Sequence, residues 1–272
     1  MKWTVAVVLA VLIAGSAAAL AVKPDVDAIC LLQTAHDRLR HQHSGWNCLH
    51  YAASRGDTAT INAMLRAGAA VDTPTGNGTT PLTLAAAHGQ FIAVKDLLAH
   101  GAAVNGMNQN GADTPLYRAA ANGHPAVVRV LIAAGADIDA RNRQGRTPLW
   151  INAARSPRDD TQIAHSLINA GAAVDSADTV GDTPLIAAAS AGNADLVGYL
   201  IAEHAETDHR DHRGQTALFA AVVNGHADVV RQLLARGANP QARVDGVSPL
   251  EAARRRGEHD IARLLRANGA SG

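Results

Sequence analysis

From residue 42 to residue 272 the apolar positions come in paired bursts, and the pairs recur. In each unit a Leu (Leu49, Leu82, Leu116, Leu149, Leu185, Leu218 or Leu250) is generally followed by small residues, as in Ala85-Ala86 and Ala119-Ala120. A second burst follows at i, i+3, i+4 spacing, as in Val128, Leu131 and Ile132, which is the spacing of one helical face. A Gly-Ala step closes the burst, as in Gly101-Ala102 and Gly135-Ala136, and a polar stretch leads to the next glycine. The pattern therefore predicts two short helices per unit, an inner one lined with Ala and an outer one carrying larger aliphatics. The polar stretch between units is expected to project as a finger-like turn.

The period is regular. Gly45, Gly78, Gly111, Gly145, Gly181, Gly214 and Gly246 are separated by 33, 33, 34, 36, 33 and 32 residues. Four of the leucines close Thr-Pro-Leu triplets beginning at Thr80, Thr114, Thr147 and Thr183; Ser248-Pro249-Leu250, Thr216-Ala217-Leu218 and Asn47-Cys48-Leu49 are variants. A Thr before Pro is a helix N-cap, and Pro at the first helical position loses only an N–H that would be unbonded anyway. The glycine after the outer burst suits a left-handed helix end. One such unit cannot bury its own apolar face, so stacking on neighbours has to supply the partner surface.

This recurrence resembles the ankyrin-repeat family over seven repeats, 42–74, 75–107, 108–141, 142–177, 178–210, 211–242 and 243–272. The resemblance implies an all-α repeat solenoid, curved, with fingers and inner helices lining a concave face. It also implies a role in binding other proteins, which is an argument by analogy from the fold. Residues 22–41 match a capping half-repeat, with Leu31-Leu32 aligning on Leu131-Ile132. At the other end Arg266 stands where Leu98, Ile132 or Leu234 stands elsewhere, and Arg254, Arg255 and Arg256 make the last inner helix polar. That is the solvent-facing finish of a terminal repeat; a site for phosphate or an acidic partner is the other reading of the Arg run.

Composition narrows the function. The chain has 24 Lys+Arg against 24 Asp+Glu, so it has no net basic charge to favour nucleic acid, and only 3% of its residues are aromatic. Its core has to be built from Ala, Val, Ile and Leu. Residues 1–21, with Lys2, an apolar run from Val5 to Ile13 and Ala-x-Ala sites, read as a signal peptide. The run is too short to span ~30 Å of hydrocarbon, so no integral membrane segment is expected after cleavage. The Ala-rich, Arg-over-Lys composition points to a bacterial, periplasmic or secreted protein, and the cysteines are not in a lipoprotein context. In an oxidising compartment a bridge between Cys30 and Cys48 would pin the cap, worth roughly 3 kcal/mol; the spacing alone leaves the pairing open.

No nucleophile elbow, phosphate loop or pair of catalytic carboxylates is present, so no enzyme activity and no cofactor are expected. His41-x-His43 and His209-x-x-His212 each offer two metal ligands and lack a completing set. His50, after Leu49, reads as a structural, hydrogen-bonding imidazole. Arg118 takes a slot held elsewhere by Tyr51, Leu84 or Ile151, and Asn152 replaces an Ala; the two either bond each other or mark a ligand contact. Repeat four carries three extra residues within 155–161, read as a loop insertion in which Pro157 ends the inner helix and Asp160 or Thr161 caps the next.

The expected function is a protein–protein interaction scaffold, monomeric, with an unidentified protein partner on the concave face. Inhibition of a toxin or enzyme in the manner of an immunity protein, or action as a secreted effector, are the alternatives. By register the contact residues are Trp46, Asn77, Thr79, His88, Asp113, Asn122, Arg143, Arg146, Arg155, Asp182, His212, Arg213, Gln215 and Asn224. Trp46, Arg143 and Arg146 lead this set, because Trp and Arg are common binding anchors.

Overall fold

A computed structural model describes residues 46–106, 114–155 and 161–271. The segments expected to form the signal peptide and the capping half-repeat lie outside these residues, as do Cys30, His41, His43, Asp113, Pro157 and Asp160. The described chain is a succession of helix pairs. The inner helices are α1 (Cys48–Arg55), α3 (Pro81–Ala87), α5 (Pro115–Ala121), α7 (Pro148–Ala153), α9 (Pro184–Ala191), α11 (Ala217–Val223) and α13 (Pro249–Arg256). Their outer companions are α2 (Thr58–Arg66), α4 (Phe91–Ala99), α6 (Pro125–Ala133), α8 (Gln162–Asn169), α10 (Ala194–Ala202), α12 (Ala227–Ala235) and α14 (His259–Ala267).

Each inner helix starts where the sequence says it should. The side chains of Asn47, Thr80, Thr114, Thr147, Thr183, Thr216 and Ser248 all accept from the backbone N–H three residues on. Each such bond satisfies one of the orphan donors of the first turn and contributes about 1 kcal/mol. Pro81, Pro115, Pro148, Pro184 and Pro249 occupy the first turn, as expected. Thr161 does stand at the N-cap of α8, but in helical backbone geometry and without a side-chain cap bond.

The recurring leucines are the axis of the stack: Leu49, Leu82, Leu116, Leu149, Leu185, Leu218 and Leu250 are each at most 1% exposed. On the outer helices the buried stripe continues through Val94 and Leu97, Val128 and Leu131, Val197 and Leu200, and Val230 and Leu233. These residues form one continuous core from Cys48 to Leu265. Inner helices touch their neighbours more closely than outer helices do. Ala at the inner contacts permits that approach, so the stack curves toward the inner row, which is the concave side. Between outer helices α8 and α10 the rings of His165 and Tyr199 stack with centroids 3.8 Å apart.

Backbone-directed side chains staple each unit to the next. Asp72 accepts from the Ala103 N–H, Asn105 from Asp137, Asp139 from Ala173, Asp175 from Glu206 and Asp208 from Asn239, at 2.8–3.3 Å. Such bonds connect only neighbours, as the stability of a stacked array requires. At the far end Arg254, Arg255, Arg256 and Arg266 are exposed, so the last unit presents a solvated face.

Candidate functional site

Three successive fingers are held by one short polar side chain each. In the fourth unit Asn142 Oδ1 accepts from the Gln144 and Arg146 amides, both at 3.0 Å. Asp178 Oδ1 does the same for Val180 and Asp182 at 2.9 and 3.1 Å, and Asp211 Oδ1 for Arg213 and Gln215 at 2.9 and 2.6 Å. These Asx-type turns fix the loop tips without regular secondary structure. Neighbouring fingers then bond to one another. Thr179 N–H donates to Gln144 O at 2.8 Å, and His212 N–H to Val180 O at 3.0 Å. Gly181 sits at that contact with φ +88°, and a Cβ there would lie 3.0 Å from His212 N. Both the backbone conformation and the close approach call for glycine.

This framework positions two grooves between fingers and inner helices. The first, about 590 Å³, spans units one to three. Leu84 and Ala87 form its floor, and five of the sequence-predicted residues line it: Trp46, Asn77, Thr79, His88 and Asn122. Trp46 is half-buried and packs at 5.1 Å from the Tyr51 ring. Asn77 and Thr79 are bonded to each other through Asn77 Oδ1 and Thr79 Oγ1 at 2.8 Å. His88 is exposed at the end of α3, while Asn122 donates from Nδ2 to Ala87 O at 3.0 Å. Arg118, read as a possible ligand contact, also lines this groove, as does His124, which was not among the expected contact residues.

The second groove, about 370 Å³, lies over units four to six and is lined by Asp182, Arg213 and Gln215 of the expected set. Trp150, Ile186 and Ser190 line it as well, together with three alanines. Trp150 donates its indole N–H to Asp182 O at 2.8 Å, and the Arg146 guanidinium lies 4.1 Å from the centre of its ring. Arg146 is also ion-paired with Asp178, Nε to Oδ2 3.2 Å. Arg213 Nε meets Asp211 Oδ2 at 3.1 Å. The pKa of Asp182 is raised from its ordinary value, first by burial and then by the charges of Asp178 and Asp211, against the opposing charges of Arg213 and Arg146.

The remaining expected contacts are spread more widely. Arg143 and His212 are exposed at finger tips, and Asn224 is exposed at the end of α11 with Nδ2 on Ser190 Oγ at 3.2 Å. Arg155 is turned to structural use: its Nη1 donates to Ala121 O, closing the end of the preceding inner helix. Of the two residues expected to bond each other or mark a ligand contact, Arg118 is exposed on the first groove and Asn152 is only 4% exposed. Trp150 was missed because it follows the Thr-Pro-Leu triplet, a position that reads as framework; the bulk that varies there (Thr83, Tyr117, Trp150, Ile186, Phe219) was the available signal.

His50 is buried. Its Nδ1 accepts from the Asn47 N–H at 3.0 Å, and Nε2 donates to Thr73 O at 2.8 Å. Burial lowers its pKa below the ordinary imidazole value. It is a structural imidazole. In the finger, His209 lies against Glu206 Oε2 and Gly181 O, both at 3.2 Å. Among the described residues no group of three His, Cys, Asp or Glu is arranged to hold a metal ion, and no helix is long and apolar enough to cross a membrane. Cys48 is buried in the first turn of α1, while the expected pairing with Cys30 lies outside the described residues.

A family model described as Ankyrin repeats (3 copies) matches residues 16–108, 93–178, 150–244 and 185–271. The crystal structure of the human ASB11 ankyrin repeat domain superposes with a TM-score of 0.74 at 28% identity, covering 84% of this chain and 100% of that one. No curated protein sequence matches the chain. No enzyme family is among the matches, and ankyrin repeats in general mediate protein–protein interaction. With capped inner helices, a leucine axis and bonded fingers at the period of that family, and with its family model matched along most of its length, the chain belongs to the ankyrin-repeat family.

Proposed function

We propose that the protein is an exported, non-enzymatic scaffold that binds a protein partner along its concave face. The first groove is the centre of that surface. The observation that carries this reading is the convergence of Trp46, Asn77, Thr79, His88 and Asn122, from three successive units, on one groove floored by Leu84 and Ala87. The framework below repeats while these residues differ from unit to unit. An aromatic anchor beside polar groups and a partly apolar floor suits a protein segment. Export rests on residues 1–21, whose charge, apolar run and small-residue sites fit a signal peptide.

Affinity capture from a periplasmic extract with the full chain, followed by calorimetry on the recovered partner, tests the surface. Trp46→Ala and Arg118→Ala should each weaken binding by at least ~1 kcal/mol, about fivefold, and leave the melting temperature nearly unchanged. Arg129 and Arg263 are exposed on outer helices and serve as controls. Loss of affinity confined to those controls overturns the concave assignment. Mass spectrometry of the exported protein should give an N-terminus near Leu20 or Val22; an intact Met1 in the cytosol refutes export.

A further inference from the structure

The charges of the second groove do not balance. Asp178 and Asp211 each have Oδ1 on two finger amides and Oδ2 on a guanidinium, those of Arg146 and Arg213. Asp182 is flanked by both carboxylates and has no such arrangement. Its Oδ1 is buried and makes no hydrogen bond to any described residue. Its backbone groups are already committed, the N–H to Asp178 and the C=O to the Trp150 indole. Three carboxylates thus meet two guanidiniums; Arg213, which also lines the groove, and Arg146 act on Asp182 only through space, and its carboxylate has no ion pair of its own in a partly desolvated wall.

An unpaired carboxylate in such a place costs stability, since an Asn of the same shape would carry no charge to desolvate. The surrounding surface tells what would compensate it. Trp150 and Ile186 offer apolar walls, Ala154, Ala187 and Ala191 leave depth between them, and Asp182 stands at the finger end. Apolar walls leading to an anion suit a side chain with a methylene stem and a cationic head. We propose that this groove receives a lysine or arginine side chain of the protein partner, with the Asp182 carboxylate as its counter-charge. The proposal rests on the concave-face reading above and deepens it by naming the chemistry of one anchor.

A displayed library of random dodecapeptides, selected on the full chain at neutral pH, supplies the probe. Selected peptides should share a Lys or Arg, and its replacement by Gln should weaken binding roughly tenfold or more, the usual worth of a charged hydrogen bond. Asp182→Asn should produce the same loss while the melting temperature stays level or rises, because the unpartnered charge is gone. Ser190→Lys, at an exposed position of the same groove, should also weaken binding by placing a competing ammonium there. Peptides that lose affinity with Trp46→Ala or Ser190→Lys, but lack a required basic residue or ignore Asp182→Asn, overturn the proposal and leave the concave reading standing. Peptides that respond only to Arg129→Ala on the outer face overturn both, and recovery of no Lys- or Arg-bearing peptide overturns the proposal.

Discussion

The imidazole of His226 lies on Gly192 of the preceding unit, and its Nε2 donates to Ser190 O at 3.0 Å. The bond satisfies a carbonyl that the end of α9 leaves open. The same device recurs with other side chains. Gln90 reaches Ser54 O over Gly56, His124 reaches Ala87 O over Gly89, and Arg155 reaches Ala121 O over Gly123. At these four junctions a unit therefore closes the inner helix of the one before it, and the glycine at that helix end leaves the room.

Replacing Gly192 tests this closure. Its φ is +77°, and a Cβ there would stand 2.6 Å from His226 Nδ1. Gly257 shares the backbone conformation, φ +75°, with nothing within 4 Å. Gly257→Ala should cost about 1 kcal/mol, the left-handed term alone, while Gly192→Ala should cost at least ~1 kcal/mol more. Urea unfolding of the two variants compares them, and equal costs would show that the imidazole contact is dispensable.

His204 offers the reverse change. After the outer helix the other units place a glycine with positive φ, such as Gly237 at +85°; here a histidine adopts φ +68°. His204→Gly removes a left-handed penalty of about 1–2 kcal/mol and adds about 0.5–1 kcal/mol of unfolded-chain entropy. The melting temperature should stay level or rise by the equivalent of up to ~1 kcal/mol. A clear fall would mean that the His204 side chain contributes contacts worth more than its strain.

His50 makes stability depend on pH. Burial holds its folded pKa below the ordinary 6.5, so the folded chain binds fewer protons than the unfolded chain in acid. This contribution is constant well above 6.5 and is lost as pH falls below 6.5 toward the folded value. His50→Thr, the residue that Thr83 supplies at the same place in the next unit, lacks that dependence. Between pH 7.5 and 5 the melting temperature of the wild type should fall further than that of the variant. A wild type that gains on the variant in acid would show that the imidazole is charged in the fold.

Leu131 and Arg129 are two residues apart on α6, the first fully buried and the second exposed. Leu131→Ala should cost about 2–5 kcal/mol, whereas Arg129→Ala should stay within ~0.5 kcal/mol. Because neighbouring units share the Leu131 contacts, loss should appear as one cooperative transition, followed by circular dichroism. Similar costs at the two positions would contradict the helical register.

The repeat was legible because it is a local pattern. Thr147-Pro148-Leu149 carries its own cap, its own first turn and its own buried leucine, and those properties need only the neighbouring residues. The apolar spacing of Val128 and Leu131 likewise declares which face is covered. Trp46, Asn77 and Thr79, beside the finger glycines, and His88 and Asn122, at inner-helix ends, meet in one groove. Residues whose partners lie about one repeat away were not legible. Arg155 reads as a free cation until the Ala121 carbonyl is brought beneath it, and Asp178 reads as one more polar finger residue until Arg146 arrives from the previous unit. The Asp182 carboxylate, which has no ion pair of its own, belongs to the same class. Sequence determined the periodic framework, because capping and helical periodicity act within a few residues along the chain. Tertiary structure decided which polar side chains were consumed in stapling the stack and which remained to face a partner, because burial and charge pairing are set by the adjoining repeat.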